Sequence, residues 1–238
     1  MQPSGVVLAA GEGRRLRPLT ERWPKPVLPI DGRPVIASLL LELRTAGLTE
    51  VTVVVGHLAE QVEHLLGDGS GFGLSIRYAR QPAPDGSADA VRRALEAGAE
   101  PPLLVVGADT VFTRGDIQTA ASAWLASGAS GGLGVRPVPP AELGRRAPVR
   151  ASGGLVTALG GEADDRAGAR KLAAAPLWFL NHRFAGCLEG LPGPPYELAE
   201  AGRRLLEAGE TILALELGPT RDITHPEDVV RHNFPYLR

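Results

Sequence analysis

Between Leu8 and Pro26 the chain reads LAAGEGRRLRPLTERWPKP, with two glycines, four arginines and a proline-flanked lysine directly after an apolar run. Those residue types suit an anion, and a phosphate in particular. Gly11 and Gly13 let backbone N–H groups come close to an oxyanion. Arg15 offers a planar, permanently charged fork for phosphate oxygens. Lys25 places a point charge on a segment stiffened by Pro24 and Pro26. On the glycines alone, a plain turn followed by a solvated basic loop is the better reading, since short glycine patterns often arise by chance. A dinucleotide-binding turn is excluded, because Leu16 stands where G-x-G-x-x-G needs its third glycine. A P-loop is excluded because no G-K-[ST] occurs.

Two further positions could do chemistry. Asp109 closes the apolar run LLVVGAD. A carboxylate at such a strand end suits Mg²⁺, which takes one or two protein oxygens beside phosphate and water, but a turn or capping aspartate fits the same place. Gln81 follows LSIRYAR and carries both a donor and an acceptor, as reading a base edge requires; a surface polar residue is the plainer alternative. His57 and His225 read as satisfied polar residues, since no His, Asp or Cys cluster has zinc-ligand spacing. The single cysteine, Cys187, rules out an internal disulfide framework.

The elements that must position these groups follow from periodicity. Gly5 to Ala10, Val51 to Gly56 and Leu103 to Asp109 read as buried strands, and Leu74 to Arg80 as an alternating one. Helical spacing covers Pro34 to Ala46, Leu58 to Leu66, Ser87 to Gly98 and about Asp116 to Ala126. Strands alternating with helices predict βαβ units and a largely parallel sheet covered on both faces. Residues 129–161 are glycine-rich and read as short strands and hairpins. Leu172 to Asn181 and Thr211 to Leu217 are expected as strands, Tyr196 to Gly209 and Pro226 to Phe234 as helices. The fold class expected is α/β, a Rossmann-like three-layer sandwich with a mainly parallel, partly mixed sheet. One domain, 1–238, is expected, with a nucleotide-binding half about 1–128 and an acceptor half about 129–238.

Bulk composition narrows the partners. With 44% hydrophobic residues and 22% charged, the chain is ordinary for a globular protein. A net charge of −2 favours neither nucleic acid nor an acidic membrane as main partner. No run looks like a signal peptide or a membrane span, so a cytoplasmic protein is expected. Nothing in the sequence decides between a monomer and a homo-oligomer.

LAAGEGRRLRPLTERWPKPVLPIDGRPVI resembles the signature of the sugar-1-phosphate nucleotidylyltransferases, L-A-[AG]-G-x-G-x-R-L-x-P-L-T-x-x-x-P-K-P-[LV]-x-P-[IV]-x-G-x-P-[IL], nearly position for position. QPAPDGSADAV resembles that family's Q-x-x-x-x-G-[TL]-A-x-A-[VIL], LLVVGADTVF its strand ending in aspartate, and TRDITHPEDV its W-x-D-[IV]-x-T-P-E-D-[LV]. The resemblance spans about residues 5–230. It implies transfer of a nucleoside monophosphate from a nucleoside triphosphate to a sugar 1-phosphate, with pyrophosphate leaving and Mg²⁺ as cofactor. It also implies roles. Arg15 and Lys25 are catalytic, neutralising the triphosphate and the charge near the α-phosphate. Leu8, Ala9, Ala10, Gly11 and Gly13 hold the nucleotide, Gln81, Gly86 and Ser87 read the base, and Asp109 and Asp222 carry the metal.

The acceptor side departs from the pattern. Many relatives carry E-E-K-P before the strand preceding the sugar pocket; here that region reads VTALGGEADDRAGARKL, with Glu162, Arg170 and Lys171 as candidate substitutes. Pro176 stands where glycine is expected, the small residue Ala108 precedes the acid, and Thr220 replaces the tryptophan near the second metal acid. The acceptor-binding residues are therefore unassigned. QPAPDG resembles glucose-1-phosphate thymidylyltransferases, and LGDGSGFGLSIRY the short amino-sugar-1-phosphate uridylyltransferases, so dTTP or UTP is the favoured donor. Two alternatives stand: a cytidylyltransferase acting on a non-sugar phosphate such as phosphocholine or inositol phosphate, and a non-catalytic nucleotide-sugar-binding homologue. A metal-dependent glycosyltransferase lacks this loop.

Overall fold

The computed structural model describes residues 2–139, 147–161 and 171–234. The first strand, β1 (Ser4–Ala9), runs into the arginine-rich loop, which is built from three single-turn 3-10 helices. A two-residue hairpin, β2 (Pro29–Ile30) and β3 (Arg33–Pro34), leads into α1 (Val35–Thr45). Then come β4 (Glu50–Val55), α2 (Ala59–Leu66), β5 (Ser75–Arg80), α3 (Ser87–Glu96) and β6 (Leu103–Gly107). The short β7 (Thr110–Val111) precedes α4 (Asp116–Ser127) and β8 (Gly131–Pro137). The second half holds β9 (Pro148–Ser152), β10 (Leu155–Leu159), β11 (Leu172–Leu180), α5 (His182–Gly186) and α6 (Leu198–Glu207). It ends with β12 (Ile212–Glu216), β13 (Arg221–Asp222) and α7 (Pro226–Asn233).

Nine strands form one sheet in the order β5-β4-β1-β6-β11-β8-β12-β10-β9. The first four are parallel, β11 is antiparallel to both β6 and β8, and β12 is parallel to β8. Alternation along each strand assigns side chains to two cores. Val7, Val53, Val55, Leu104 and Val106 face α1, α2 and α4, while Val6, Val54, Leu103 and Val105 face α3, α5 and α6. Each such side chain, taken fully out of water, contributes about 1.5–3 kcal/mol. The result is the expected three-layer sandwich.

Two expected boundaries shift. Pairing of β6 with β1 stops at Leu8↔Gly107, so the strand ends there and Asp109 lies in the turn beyond it. Helix α6 starts at Leu198 rather than Tyr196, because the Tyr196 backbone is committed to Asp85 and Ala88 through bonds of 2.6 and 2.8 Å. Pro176 falls where the β11–β8 register shifts between Ala174 and Trp178, the kind of irregularity that tolerates a missing N–H.

The chain's last described helix clamps the loop after β1. Asn233 of α7 donates to the Pro29 carbonyl at 2.8 Å and accepts from Gly32 N–H at 2.9 Å. Beneath it Leu16, Leu28, Ile30, Val35 and Ile223 form a separate apolar cluster. The N-terminus of α7 is a capping box in which the Asp228 carboxylate accepts from Thr224 and His225 N–H groups at 2.9 and 2.8 Å. Burial presses that carboxyl up, but the two backbone donors and the nearby Arg231 and His232 outweigh it and hold Asp228 below the ordinary aspartate range. A depressed folded pKa means stability that is present above the unfolded value and lost as pH falls through the folded one. Asp228→Ala should therefore cost about 1 kcal/mol at neutral pH. The difference from the parent should shrink below roughly pH 4, as urea unfolding at several pH values would show; a constant difference would contradict the assignment.

Candidate active site

The strand order places β4 and β5 on one side of β1 and β6 on the other, so the chain changes direction across the sheet between β1 and β6. Ligands of open α/β sheets bind beyond the carboxyl ends of the strands at such a point. A cleft of about 420 Å³ opens there. Its walls are the end of β1 (Leu8, Ala9, Ala10), the loop residues Gly11, Gly13, Arg15 and Lys25, Gln81 after β5, Gly86 and Ser87 at the start of α3, and Asp109 after β6. The structure thus brings together in one cleft every residue expected at the nucleotide and metal sites except Asp222, which lies beside it; Lys171, a candidate on the acceptor side, stands just before β11 and does not line the cleft. Glu162 and Arg170 are outside the described residues.

The loop conformation follows from its sequence. Gly13 caps the first 3-10 turn with φ 62°, and a Cβ there would sit 2.9 Å from Thr20 Cγ2. Thr20 is buried, donates its hydroxyl to the Gly13 carbonyl at 2.9 Å, and offers its own carbonyl to His57 Nε2 at 2.7 Å. Charge is apportioned within the loop. Arg14 bonds Glu12 at 2.7 Å and, with Arg17 nearby, holds the Glu12 carboxyl below its usual range. Among the described residues no carboxylate pairs with Arg15, which is exposed at the cleft.

Lys25 is anchored between two buried prolines, and its Nζ forms an ion pair with Asp109 Oδ2. Asp109 Oδ1 accepts from Thr110 Oγ1 at 3.2 Å, and the same buried hydroxyl lies 3.0 Å from Asp222 Oδ1. The two-stranded ribbon of β7 and β13, which pairs Thr110 with Asp222, brings these acids together across more than a hundred residues. Asp222 Oδ2 accepts from Arg136 at 2.9 Å, and Arg136 also donates to Thr220 Oγ1. Two carboxylates meeting at one hydroxyl, beside a cleft lined by Arg15 and Lys25, fit a hard divalent cation. Each already carries a protein cation, Lys25 on one and Arg136 on the other.

At the other end of the cleft Gln81 is buried rather than a surface polar residue. Its amide nitrogen donates to the Gly86 carbonyl at 3.0 Å and to Asp89 Oδ2 at 2.9 Å. Both partners are acceptors, so the NH₂ must face them and Oε1 is the group left for a ligand. Asp89 is itself buried and paired with Arg92 and Arg93 at 3.2 and 3.4 Å, and the Arg92 guanidinium stacks 4.6 Å from the Tyr196 ring centre. Ser87 Oγ donates to Glu197 and accepts from Leu198 N–H at 2.9 Å, which commits its hydroxyl to the protein. Sequence reasoning missed Thr110, Arg136, Asp89 and Glu197. Thr110 directly follows a singled-out acid, and Asp89 lies inside a quoted motif; Arg136 and Glu197 carry no local signal.

Residues 4–142, more than half of the chain, match the model of the family described as nucleotidyl transferase. The chain belongs to that family. Over 122 residues this nucleotidyl transferase is 41% identical to an N-acetylmuramate alpha-1-phosphate uridylyltransferase of Neisseria meningitidis, covering 49% of this chain and 52% of that protein. It is 38% identical over 113 residues to a glucose-1-phosphate thymidylyltransferase of Xanthomonas campestris, covering 47% of this chain and 38% of that one. The alignments thus span about half or less of these curated relatives. Its fold is that of UTP-bound UGPase from Acinetobacter baumannii, with TM-score 0.81 and 21% identity over 99% of this chain and 93% of the other. Among the described residues no helix is long and apolar enough to cross a membrane.

Proposed function

We propose that this nucleotidyl transferase moves a nucleoside monophosphate from a nucleoside triphosphate to a sugar 1-phosphate, giving a nucleoside diphosphate sugar and pyrophosphate. The observation that carries the reading is the ion pair of Lys25 with Asp109 at the mouth of a cleft lined by the glycine–arginine loop. A phosphate oxygen of the sugar 1-phosphate attacks the α-phosphorus as the bond to pyrophosphate breaks. Such a reaction needs alignment and charge neutralisation more than covalent help. Arg15 takes charge on the β- and γ-phosphates, Lys25 the charge growing on the α-phosphate, and the Gly11 and Gly13 amides approach the phosphate oxygens. Support at Gly11 comes from space: a Cβ there would meet no protein atom within 4 Å, so protein packing alone does not call for glycine. Asp109 and Asp222 hold Mg²⁺, which when bound draws charge from the phosphate oxygens. The first half, about 1–128, holds the nucleotide, and the remainder the acceptor.

The base is uracil or thymine. Gln81 presents only its carbonyl oxygen, which suits the N3–H of those bases and opposes the N3 lone pair of cytosine. The UTP-bound fold relative and the uridylyl and thymidylyl relatives agree with this choice. A cytoplasmic location, where nucleoside triphosphates are abundant, accords with the reading.

Coupled pyrophosphate release with Mg²⁺ tests it, using all common nucleoside triphosphates against sugar 1-phosphates, phosphocholine and inositol phosphate. Turnover is expected with UTP or dTTP and a hexose or amino-sugar 1-phosphate, and none with CTP. Turnover with CTP and a non-sugar phosphate would replace the reading with the cytidylyltransferase one. Nucleotide binding without turnover on any acceptor would favour the non-catalytic homologue.

A further inference from the structure

A cation beside the two acids to which the sequence assigns no role is Arg136. It sits one residue from the end of β8, 7% exposed, with one terminal nitrogen on Asp222 Oδ2 at 2.9 Å, the other on Thr220 Oγ1, and a buried Nε that no described residue accepts from. The Thr220 hydroxyl receives that second terminal nitrogen and so helps to fix the guanidinium against Asp222. We propose that Arg136 keeps the Asp109–Asp222 pair closed to free divalent cations, so that a cation is taken up only together with the anionic triphosphate. This rests on the reading of those two acids as the cation site.

The argument is one of charge. Asp109 and Asp222 are balanced by Lys25 and Arg136, and a dication entering alone would leave an excess of two positive charges in a partly buried cleft that also holds Arg15. A triphosphate reverses that balance. The two cations respond differently. Lys25 lies at the cleft and can turn to a phosphate, whereas Arg136 is walled in at the sheet and, as a guanidinium, cannot lose its charge by giving up a proton. Arg136 is a positioning residue here: it acts on the cation through Asp222 and touches no substrate in this reading. By linkage, whatever factor the nucleotide adds to cation affinity the cation adds to nucleotide affinity.

The test uses Mn²⁺ alone, with free Mn²⁺ counted by electron paramagnetic resonance as it is titrated into the full chain. The parent should bind weakly. Arg136→Gln, which keeps a hydrogen-bond donor but removes the charge, should bind about tenfold tighter, within the usual range of coupling between sites. Arg136→Lys should stay at the parent value, and Arg136→Gln with Asp222→Asn should lose the gain. Circular dichroism checks each fold. If Arg136→Gln does not fold, Thr220→Val removes one anchor of the guanidinium and should show a change of the same sign, smaller because the charge stays. No tightening in the folded variant, or tightening that survives Asp222→Asn, overturns the proposal. Because these arms need neither nucleotide nor turnover, a protein inactive in the pyrophosphate assay that still shows the tightening loses the transferase reading and keeps this one. Turnover without tightening does the reverse.

Discussion

Lys25→Ala is expected to lower pyrophosphate release by about two to three orders of magnitude, the usual cost of removing one preorganised charge from a developing oxyanion. The protein should remain folded. The ion pair it breaks is only partly buried, with the Asp109 side chain 34% exposed, so water can take over the carboxylate. After screening is allowed for, the loss is at most about 1 kcal/mol. Lys25 is one of only two lysines in a chain otherwise using arginine for positive charge. An ammonium on a proline-held turn can reach one carboxylate and one phosphate oxygen in succession, which a bidentate guanidinium does less readily. Lys25→Arg should consequently restore little. The checks are steady-state kinetics and a thermal melt on the same preparations. Near-parental kcat in Lys25→Ala would remove Lys25 from the reaction, whatever its contact with Asp109.

Gly86→Ala is expected to be the most damaging single-methyl change in the cleft. Gly86 has φ 103°, and an added Cβ would lie 2.3 Å from the Tyr196 carbonyl oxygen and 2.7 Å from its nitrogen. Backbone on both sides cannot swing away as a side chain could. Relief requires the turn before α3 to part from the segment leading into α6, breaking the Tyr196–Asp85 and Ala88–Tyr196 bonds that join them. A loss of about 2–4 kcal/mol follows from strain and lost bonds together. For a chain of this size that is roughly 5–15 °C in Tm. Nucleotide binding should fall as well, because the Gly86 carbonyl is one of the two acceptors that orient Gln81. Gly11→Ala is the contrast: stability within about 0.5 kcal/mol of the parent, since no protein atom opposes it, with nucleotide affinity reduced. Equal melting points for the parent and Gly86→Ala would show that the two segments are not locked together as described.

The sequence by itself determined the parallel half of the sheet, its covering helices and the glycine–arginine loop at the cleft. Those signals are local: β-branched runs such as VTVVV, helical spacing closed by Gly47 or Gly67, and a loop whose glycines and cations are close in sequence. The second half was harder to read because its strands are not built from strand-favouring residues. Gly131, Gly132 and Gly134 lie in β8 where added Cβ atoms would come within 3.0 Å of Phe184, of Leu215 and Trp124, and of Leu217, so that strand is shaped by neighbours distant in sequence. The tertiary structure alone decided the charge pairing. Lys25 with Asp109 and Arg136 with Asp222 join residues more than 80 positions apart, as the Ser87–Glu197 hydrogen bond joins residues 110 apart, and no periodicity records which acid meets which donor. An ion pair depends on two side chains arriving within a few ångströms, and here the β7–β13 ribbon, two residues per strand, brings the two acids side by side where those cations meet them.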